Sequence, residues 1–334
     1  MPLSDHTTFS QAQVGSELSR PVFIKAIEEK PGKDGKIHLH FTLLDGESEC
    51  QATLFSTTAA QMEQAGIHTG MVADITLRVS EFNGKSFNVN GITPYQGNEF
   101  TIDDFIVTAP LNELAMFDEM IETLHSIGDD MGGTSTPVSE LAVMILTDHK
   151  KEFLRSAAAK NIHHNFKGGL IYHSYRMFKA AEAIMPVYPE LDKELLMTSA
   201  AIHDIGKLWE YSTDPYGTAD VTGSGVLFGH LYMGAKLISN YMEKLTKTSP
   251  DAKPFNGEKA RMLTHIILSH HGRLEWGAVA TPAIPEAFVL HYLDNLDAKV
   301  NSCEKEYAKL APGEASSKKP MGFDGKIYKP DYKV

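Results

Sequence analysis

Hydrophobic and polar residues alternate with a period of two in several short runs before residue 96, and such alternation predicts β-strands with one buried face. The clearest run is IHLHFTLL, residues 37–44, which ends at the turn residues Asp45 and Gly46. Ser56 is expected to cap a short helix that stops near Gly66, between the third and fourth strands. The predicted strands cover residues 21–26, 37–44, 50–55, 71–82 and 85–92.

Asn83 and Gly84 separate the last two predicted strands, and this dipeptide is the strongest short signal for a β-hairpin. Three strands, a helix and a two-stranded hairpin are the order of a five-stranded OB barrel, whose open face commonly receives single-stranded nucleic acid. Aromatic residues on strands belong more often to the core than to a stacking surface. The candidates for either role are Phe41, Phe55, Phe82, Phe87 and Tyr95.

The periodicity becomes helical after residue 105, with a break at Gly132 and Gly133. From residue 170 to 310 the pattern is almost entirely helical, with polar or Pro-bearing interruptions at 213–229 and 276–285. We therefore predict a multidomain chain, an N-terminal all-β OB barrel followed by an all-α helical bundle. The expected boundaries are 1–100 for the nucleic-acid-binding barrel, 101–160 for a helical connector and 161–334 for the bundle.

A length of 334 residues with 42% hydrophobic and 22% charged residues allows two globular domains, each with its own core. No stretch approaches the roughly 20 consecutive apolar residues of a membrane span, and the start MPLSDHTTFSQ lacks a cationic and then apolar signal segment. The chain is therefore expected to be cytoplasmic, without a membrane partner. Cys50 and Cys303 form no CxxC pair, so both are expected to be reduced.

The formal net charge of -12 argues against a protein that binds nucleic acid through a broadly basic surface. A polyanion would instead be held locally, by a small cationic patch or by metal ions. The alternative is that the acidic surface only favours solubility.

Histidine is the outlier of the composition, with 15 residues that cluster mainly after position 160. At helical spacing, His173 shares a face with Met177 and other apolar residues, so it is expected to point inward. His203 lies near the end of a helix that Gly206 can terminate, and Asp204 is next to it. Adjacent ligands at a helix end can reach one site.

Three further positions face inward by the same test. His230 lines up with apolar residues of GHLYMGAKLISNYM, and His270 lies above apolar residues whereas His271 is displaced toward the polar flank. Asp294 lies on the apolar stripe of EAFVLHYLDNLDAKV, and a buried carboxylate must be protonated, paired or metal-bound. One inward histidine alone is more often a core residue than a ligand, but the whole set predicts a metal site in a bundle.

The order His173, His203-Asp204, His230, His270-His271, Asp294 resembles the HD phosphohydrolase superfamily, because HDIGK stands between an upstream GGLIYH and a downstream DNLDAK. More narrowly, the chain resembles the YhaM-type 3′-to-5′ exoribonucleases, bacterial enzymes with an OB domain ahead of an HD domain. The stretch AVATPAIP, residues 278–285, departs from the more basic run expected there. The matching segments are AAAKNIHHNFKGGLIYH, IHDIGKLWE, GHLYMG, LSHHGRLEWG, LHYLDNLDAKV and IYKPDY.

This resemblance implies that residues 161–334 are an HD phosphohydrolase domain that holds two divalent metal ions. Manganese is the expected metal, with iron, cobalt and zinc as alternatives, because imidazole and carboxylate ligands suit these ions better than calcium or magnesium. Asp204 would bridge the two ions. The other implied ligands are His173, His203 and Asp294 for one ion and His230 and His270 for the other.

The implied reaction is metal-dependent 3′-to-5′ shortening of single-stranded RNA, or of single-stranded DNA, with release of 5′-mononucleotides. Lys207 would place its ammonium on a phosphate oxygen, or it is a solvated lysine at a helix end. His271 would protonate the leaving 3′ oxygen, support a ligand or act as a ligand itself.

Three further residues are candidate substrate contacts. His164 and Arg273 would contact the polyanion, although exposed residues of these types are usually just surface. Trp276 would stack on a terminal base, or it anchors its loop. Assembly into a homo-oligomer is a further expectation.

Two other classes of function compete with this one. An HD-type phosphohydrolase of nucleotides or cyclic dinucleotides would use the same metal site, but a free nucleotide needs no barrel that tracks a strand. A non-catalytic binding protein would have no need to keep Asp204 and Asp294 charged and buried. An oxidative di-iron enzyme is also known in the fold, but HDIGK and its lysine favour phosphoester chemistry.

Overall fold

The computed structural model describes residues 3–32, 35–81, 84–130, 136–158, 166–248, 257–308, 310–320 and 322–332. The chain forms two compact units, Met1–Val107 and Thr108–Val334. Part of the predicted connector lies in the second unit, where Phe117 and Phe153 belong to the hydrophobic core.

The first unit is a closed five-stranded barrel in which the strands follow the order β1-β2-β3-β5-β4. Every described strand pair in it is antiparallel except β3 and β5, which are parallel. A short helix, α1 (Ala59–Gln64), lies between β3 and β4, so the predicted OB barrel is confirmed. The strands are β1 (Glu17–Pro31), β2 (Ile37–Leu44), β3 (Glu49–Leu54), β4 (Met71–Glu81) and β5 (Lys85–Pro94).

Burial separates the aromatic residues of the barrel. Phe41 and Phe87 are buried and belong to the core, so they offer no stacking surface. Phe55 is 54% exposed and Tyr95 is half-buried. Phe82 and Asn83 lie outside the described residues.

Thr58 caps α1, so the prediction that Ser56 does so is wrong. The Thr58 side chain accepts a hydrogen bond from the Gln61 amide, and the Gln61 side chain accepts one from the Thr58 amide at 2.9 Å. Of the two residues, Thr58 is the one with a glutamine three residues later, which permits this reciprocal capping box. Ser56 instead has a left-handed φ of 56°, and its amide donates to His38 Nδ1 at 3.1 Å.

The second unit is a bundle of helices around one hydrophobic core, which confirms the predicted helical bundle. Local signals start several helices: Asp192 caps α6 by accepting from the Leu195 amide at 2.9 Å, and Pro285 stands in the first turn of α10. The helices are α2 (Glu113–Asp130), α3 (Val138–Asp148), α4 (Lys150–Arg155), α5 (Gly169–Ile184), α6 (Lys193–Ile202), α7 (Lys207–Glu210), α8 (Gly223–Thr248), α9 (Gly257–Ser269) and α10 (Pro285–Tyr307).

The predicted interruption at 213–229 contains a small antiparallel hairpin, formed by β6 (Tyr211–Thr213) and β7 (Ala219–Val221). Asp214 closes the hairpin, because its side chain accepts hydrogen bonds from the amides of Tyr216 and Thr218 at 2.8 Å each. The second unit therefore adds one hairpin to its helices. No helix in the described part of the chain combines the length and the apolar character needed to cross a bilayer.

A buried ion pair fixes the N-terminal segment to the barrel. Arg20 Nη1 lies 3.4 Å from Asp45 Oδ2, and neither side chain is exposed. Arg20 also donates to the Thr7 carbonyl at 2.8 Å, and Asp45 accepts from the amides of Phe9 at 2.6 Å and Ser48 at 2.7 Å. Removing one charge would leave the other buried and unpaired.

Asp45→Asn is expected to lower the free energy of unfolding of the barrel by about 3–5 kcal/mol, because Arg20 would lose its buried counter-ion. The urea dependence of hydrogen exchange in β1 to β5 measures this change. The control is Glu49→Gln, which removes the partly exposed pair with Lys25 and should cost less than about 1 kcal/mol. Equal free energies of unfolding for Asp45→Asn and Glu49→Gln would contradict a stabilising role for the buried Arg20–Asp45 pair.

Candidate metal centre

Five histidines and two aspartates from separate elements meet inside the second unit. The structure brings together the six implied metal ligands, and it places beside them His271, whose role the sequence left open between acid, support and ligand. His271 and Asp294 are half-buried and the others are buried. The residues are His173 on α5, His203 and Asp204 in the turn after α6, His230 on α8, His270 and His271 directly after α9, and Asp294 on α10.

The first group consists of His173, His203 and Asp204, whose ligand atoms lie within 4.8 Å of one another. His173 Nε2 is 3.1 Å from His203 Nε2 and 3.4 Å from Asp204 Oδ2. Asp294 joins this group, since its Oδ1 lies 3.3 Å from His173 Nε2. The group thus offers two imidazoles and two carboxylates.

The second group consists of His230, His270 and His271, again within 4.8 Å. His230 Nε2 lies 3.2 Å from His271 Nε2. Asp204 links the groups, because its Oδ2 faces His173 whereas its Oδ1 lies 3.4 Å from His230 Nε2 and 3.6 Å from His270 Nε2. One carboxylate that offers an oxygen to each group can bridge two cations.

The Nδ1 atom of each of these histidines lies against a hydrogen-bond acceptor. In a neutral ring, an Nδ1–H that donates to this acceptor leaves Nε2 without a proton, so that Nε2 has an available lone pair. The acceptors therefore fix both the tautomer and the ring orientation. An Nε2 atom that carries no proton can then bind a cation. The acceptors are the carbonyls of Ala200 for His203, Ile267 for His270 and Trp276 for His271, at 3.1, 2.8 and 2.9 Å, and the carboxylates of Asp297 for His173, at 2.8 Å, and Glu210 for His230.

Two observations indicate that this centre fits a cation. Asp204 Oδ1 and His270 Nε2 are buried and have no hydrogen-bond partner among the described residues. The Nε2 atoms of His173 and His203 approach to 3.1 Å, where two lone pairs repel each other unless a cation or a proton lies between them. Imidazole nitrogen and carboxylate oxygen are the donors that manganese, iron, cobalt and zinc accept in proteins.

The two aspartates stay charged although they lie inside the bundle. Burial opposes ionisation of Asp204, but Lys207 and His203 outweigh it and hold the pKa of Asp204 well below its usual range. Burial likewise opposes ionisation of Asp294, whose pKa the hydrogen bond with His173 lowers. Two charged carboxylates therefore face the inside of the centre, where they could serve as anionic ligands.

His173 differs in charge from two histidines of the second group, His230 and His270. Burial lowers the pKa of His230 and of His270, so both are neutral at pH 7, the form that binds metal. Burial also opposes a charge on His173, but its hydrogen bonds with Asp294 and Asp297 raise its pKa to about 9. The carboxylates that attract a proton to His173 would equally attract a divalent cation.

Two glycines let the elements of the centre approach each other. A Cβ atom on Gly206 would lie 2.0 Å from the His230 carbonyl oxygen, so the HDIGK turn and α8 meet backbone to backbone. Gly229 has φ 66° and ψ 162° and breaks α8 directly before His230. The freed His230 amide donates to Glu210 Oε2 at 3.2 Å.

Lys207 lies at the edge of the centre, buried, with its Nζ 2.6 Å from Asp204 Oδ2. Burial opposes its charge, but Asp204 raises its pKa, so the lysine stays an ammonium. The alternative of a solvated lysine at a helix end is therefore wrong.

Two other candidate substrate contacts, Arg273 and Trp276, come shortly after His270 and His271 in the sequence. The Arg273 guanidinium lies 4.8 Å from the ring centroid of Trp276, and Trp276 is 49% exposed. The Trp276 carbonyl accepts from His271 Nδ1 at 2.9 Å, so this residue touches a candidate ligand through its backbone. His164 lies outside the described residues.

Glu210 and Asp297 were not among the residues predicted from the sequence, yet both contact histidines of the centre. Asp297 Oδ2 lies 2.8 Å from His173 Nδ1, and its Oδ1 lies 2.5 Å from Arg176 Nε. A signal was available, since Asp297 follows Asp294 by three residues and shares its helix face. Glu210 likewise follows Lys207 by three residues.

Comparison with known proteins agrees with this geometry. A family model described as "HD domain" matches residues 170–299. The 3′-5′ exoribonuclease YhaM of Bacillus subtilis (strain 168) is 31% identical over 96% of this chain and 97% of its own length. The chain belongs to the YhaM family of 3′-5′ exoribonucleases. The YhaM of Bacillus licheniformis is 29% identical over 95% of this YhaM-family chain and 96% of its own length.

Solved structures also match part of the chain. The mitochondrial single-stranded DNA binding protein Rim1 of S. cerevisiae covers 26% of this YhaM-family chain and 100% of its own length, at 13% identity and a TM-score of 0.22. The assignment of the OB barrel rests on its strand order and not on this likeness.

Mn²⁺ is expected to stabilise the wild-type chain against thermal unfolding, by about 2.7 kcal/mol at a concentration of 100 times the dissociation constant. Asp204→Asn should lose most of this gain, because it removes a charged donor from both groups. Differential scanning calorimetry with chelator and with Mn²⁺ measures the difference. Asp118→Asn, an exposed change on α2, is the matched control, and an equal gain in both variants would contradict a role for Asp204.

Proposed function

We propose that this chain is a divalent-metal-dependent exonuclease that shortens single-stranded RNA from its 3′ end and releases 5′-mononucleotides. The observation that carries the proposal is Asp204, whose two oxygens face different groups of histidines. Two ions held on either side of one carboxylate suit the hydrolysis of a phosphodiester. The relatives with the name YhaM are exoribonucleases, which supports RNA as the substrate.

Each group of ligands would hold one ion. When bound, the ions would lower the pKa of a water molecule and offset the charge of the phosphate. His271 fits a ligand better than an acid, because its Nε2 points at His230 Nε2 and burial lowers its pKa. The proposed ligands are His173, His203, Asp204 and Asp294 for the first ion and Asp204, His230, His270 and His271 for the second.

In the proposed reaction, the oxygen of water forms a bond to the phosphorus of the last phosphodiester. The bond from that phosphorus to the 3′ oxygen of the preceding nucleotide breaks, and this oxygen takes a proton. A nucleoside 5′-monophosphate and a strand one nucleotide shorter result. Lys207 is held beside Asp204, from where its ammonium would contact a phosphate oxygen and offset developing charge.

Positive charge at the centre explains how a chain of net charge -12 would bind a polyanion. The ions, Lys207 and Arg273 would supply a local attraction for the phosphates. Trp276 would stack on the terminal base, since half of its side chain is exposed and every base has a π-face.

Several finer points belong to this proposal and stay predictions. Manganese is the expected metal, and single-stranded DNA is an expected second substrate. The cytoplasmic location, the homo-oligomer and the contact by His164 also stay predictions.

With Mn²⁺, the purified chain is expected to convert a 5′-labelled RNA oligonucleotide into a ladder of products that shorten one nucleotide at a time. The double variant His203→Ala, Asp204→Ala should form no ladder, because it removes ligands of both groups. Denaturing gel electrophoresis follows the products, and Asp118→Asn again serves as the folded control.

The same assay separates the competing functions. Hydrolysis of a cyclic dinucleotide with no shortening of RNA would favour the small-molecule phosphohydrolase instead. Full activity of a folded double variant that still binds RNA would eliminate the catalytic assignment of this centre.

Trp276→Ala is expected to raise KM for RNA by roughly 5- to 150-fold, equivalent to about 1–3 kcal/mol of lost stacking, with a smaller effect on kcat. Steady-state kinetics on one oligonucleotide measures both constants. Leu274→Ala removes an exposed aliphatic side chain from the same turn and is the control. A KM for Trp276→Ala equal to that of Leu274→Ala would refute the stacking role.

A further inference from the structure

Two of the five histidines at the metal centre have Nδ1 against a carboxylate, and the other three have it against a backbone carbonyl. His173 Nδ1 lies 2.8 Å from Asp297 Oδ2, and His230 Nδ1 contacts Glu210 Oε2. His173 belongs to the first group of ligands and His230 to the second. Each group therefore contains one histidine that rests on an acidic side chain.

Both carboxylates are themselves held in place. Asp297 is buried, and while Oδ2 faces His173, its other oxygen lies 2.5 Å from Arg176 Nε. Glu210 accepts from the His230 amide at 3.2 Å as well as from the ring, so it fixes both the start of the helical segment after Gly229 and the imidazole. Neither carboxylate belongs to the ligand groups.

We propose that Asp297 and Glu210 are positioning residues, one for each metal ion, that orient His173 and His230 by accepting their Nδ1–H hydrogen bonds. A carboxylate behind an imidazole fixes its tautomer and increases its basicity, and its loss typically weakens metal binding by about 10- to 100-fold. Neither residue belongs to the proposed metal ligands or to the proposed substrate contacts. The inference rests on the proposed two-ion centre and adds the residues that hold it in shape.

The test compares Asp297→Asn and Glu210→Gln with the wild-type chain by equilibrium dialysis against Mn²⁺ and elemental analysis. Each amide keeps the shape of the acid and loses its charge. Each variant is expected to bind one ion about 10- to 100-fold more weakly and the other ion as the wild type does. In the double variant both ions should bind weakly.

Glu286→Gln is the matched control. Glu286 is buried on α10, as Asp297 is, but it accepts from the Asp192 amide at 2.8 Å and contacts no ligand of the centre. The Glu286→Gln variant should bind both ions with wild-type affinity. The absorption spectrum of the Co²⁺-loaded chain gives a second readout, since a rotated imidazole changes the ligand field in Asp297→Asn and Glu210→Gln but not in Glu286→Gln.

Wild-type affinity and stoichiometry in both amide variants would overturn the inference, and so would weakening of the same ion in both. Glu210 is nearer the surface, with 15% of its side chain exposed, so Glu210→Gln remains decisive if Asp297→Asn does not fold. A wild-type chain that binds no divalent ion would instead overturn the proposed function, and this inference with it.

Discussion

The second unit depends on one constraint: five imidazoles, four of them buried, converge on two carboxylates, and helix packing alone leaves buried polar atoms among them without hydrogen-bond partners. Each buried polar atom without a partner costs about 1–3 kcal/mol, and Asp204 Oδ1 and His270 Nε2 are such atoms among the described residues. The fold satisfies the outer nitrogen of every ring with a carbonyl or a carboxylate. What is left inside is a set of nitrogen and oxygen atoms that suits a cation.

The same constraint explains local features of the chain that have no role in a plain helical bundle. Gly206 permits the HDIGK turn to meet α8 backbone to backbone, and Gly229 breaks α8 so that His230 starts a new segment. Gly229 interrupts regular helix, and glycine in a helix costs roughly 1 kcal/mol. The structure accepts this cost because the two halves of the centre must lie within 4 Å of Asp204.

Hydrophobic periodicity predicted the inward faces of the helices better than the hydrogen bonds of caps and turns. The inward faces of His173, His230 and Asp294 follow from helical spacing alone, since a helix repeats its face every 3.6 residues. The cap of α1 did not follow, because Ser56 and Thr58 are both good cap residues and the deciding partner is Gln61. The backbone carbonyls that contact the imidazoles could not be predicted either, because they depend on how turns close and not on residue type.

Asp297 could have been predicted from the sequence by comparing residue spacings on two helices. On α5, Arg176 follows His173 by three residues, and on α10, Asp297 follows Asp294 by three. The resulting contacts form a ladder: His173 touches both aspartates, at 3.3 and 2.8 Å, and Arg176 touches Asp297 at 2.5 Å. A shift of α10 by one residue would rotate its face by about 100° and break all three contacts together. The ladder therefore ties the ligand geometry to the packing of two helices, so that the centre keeps its shape only while α5 and α10 keep their register.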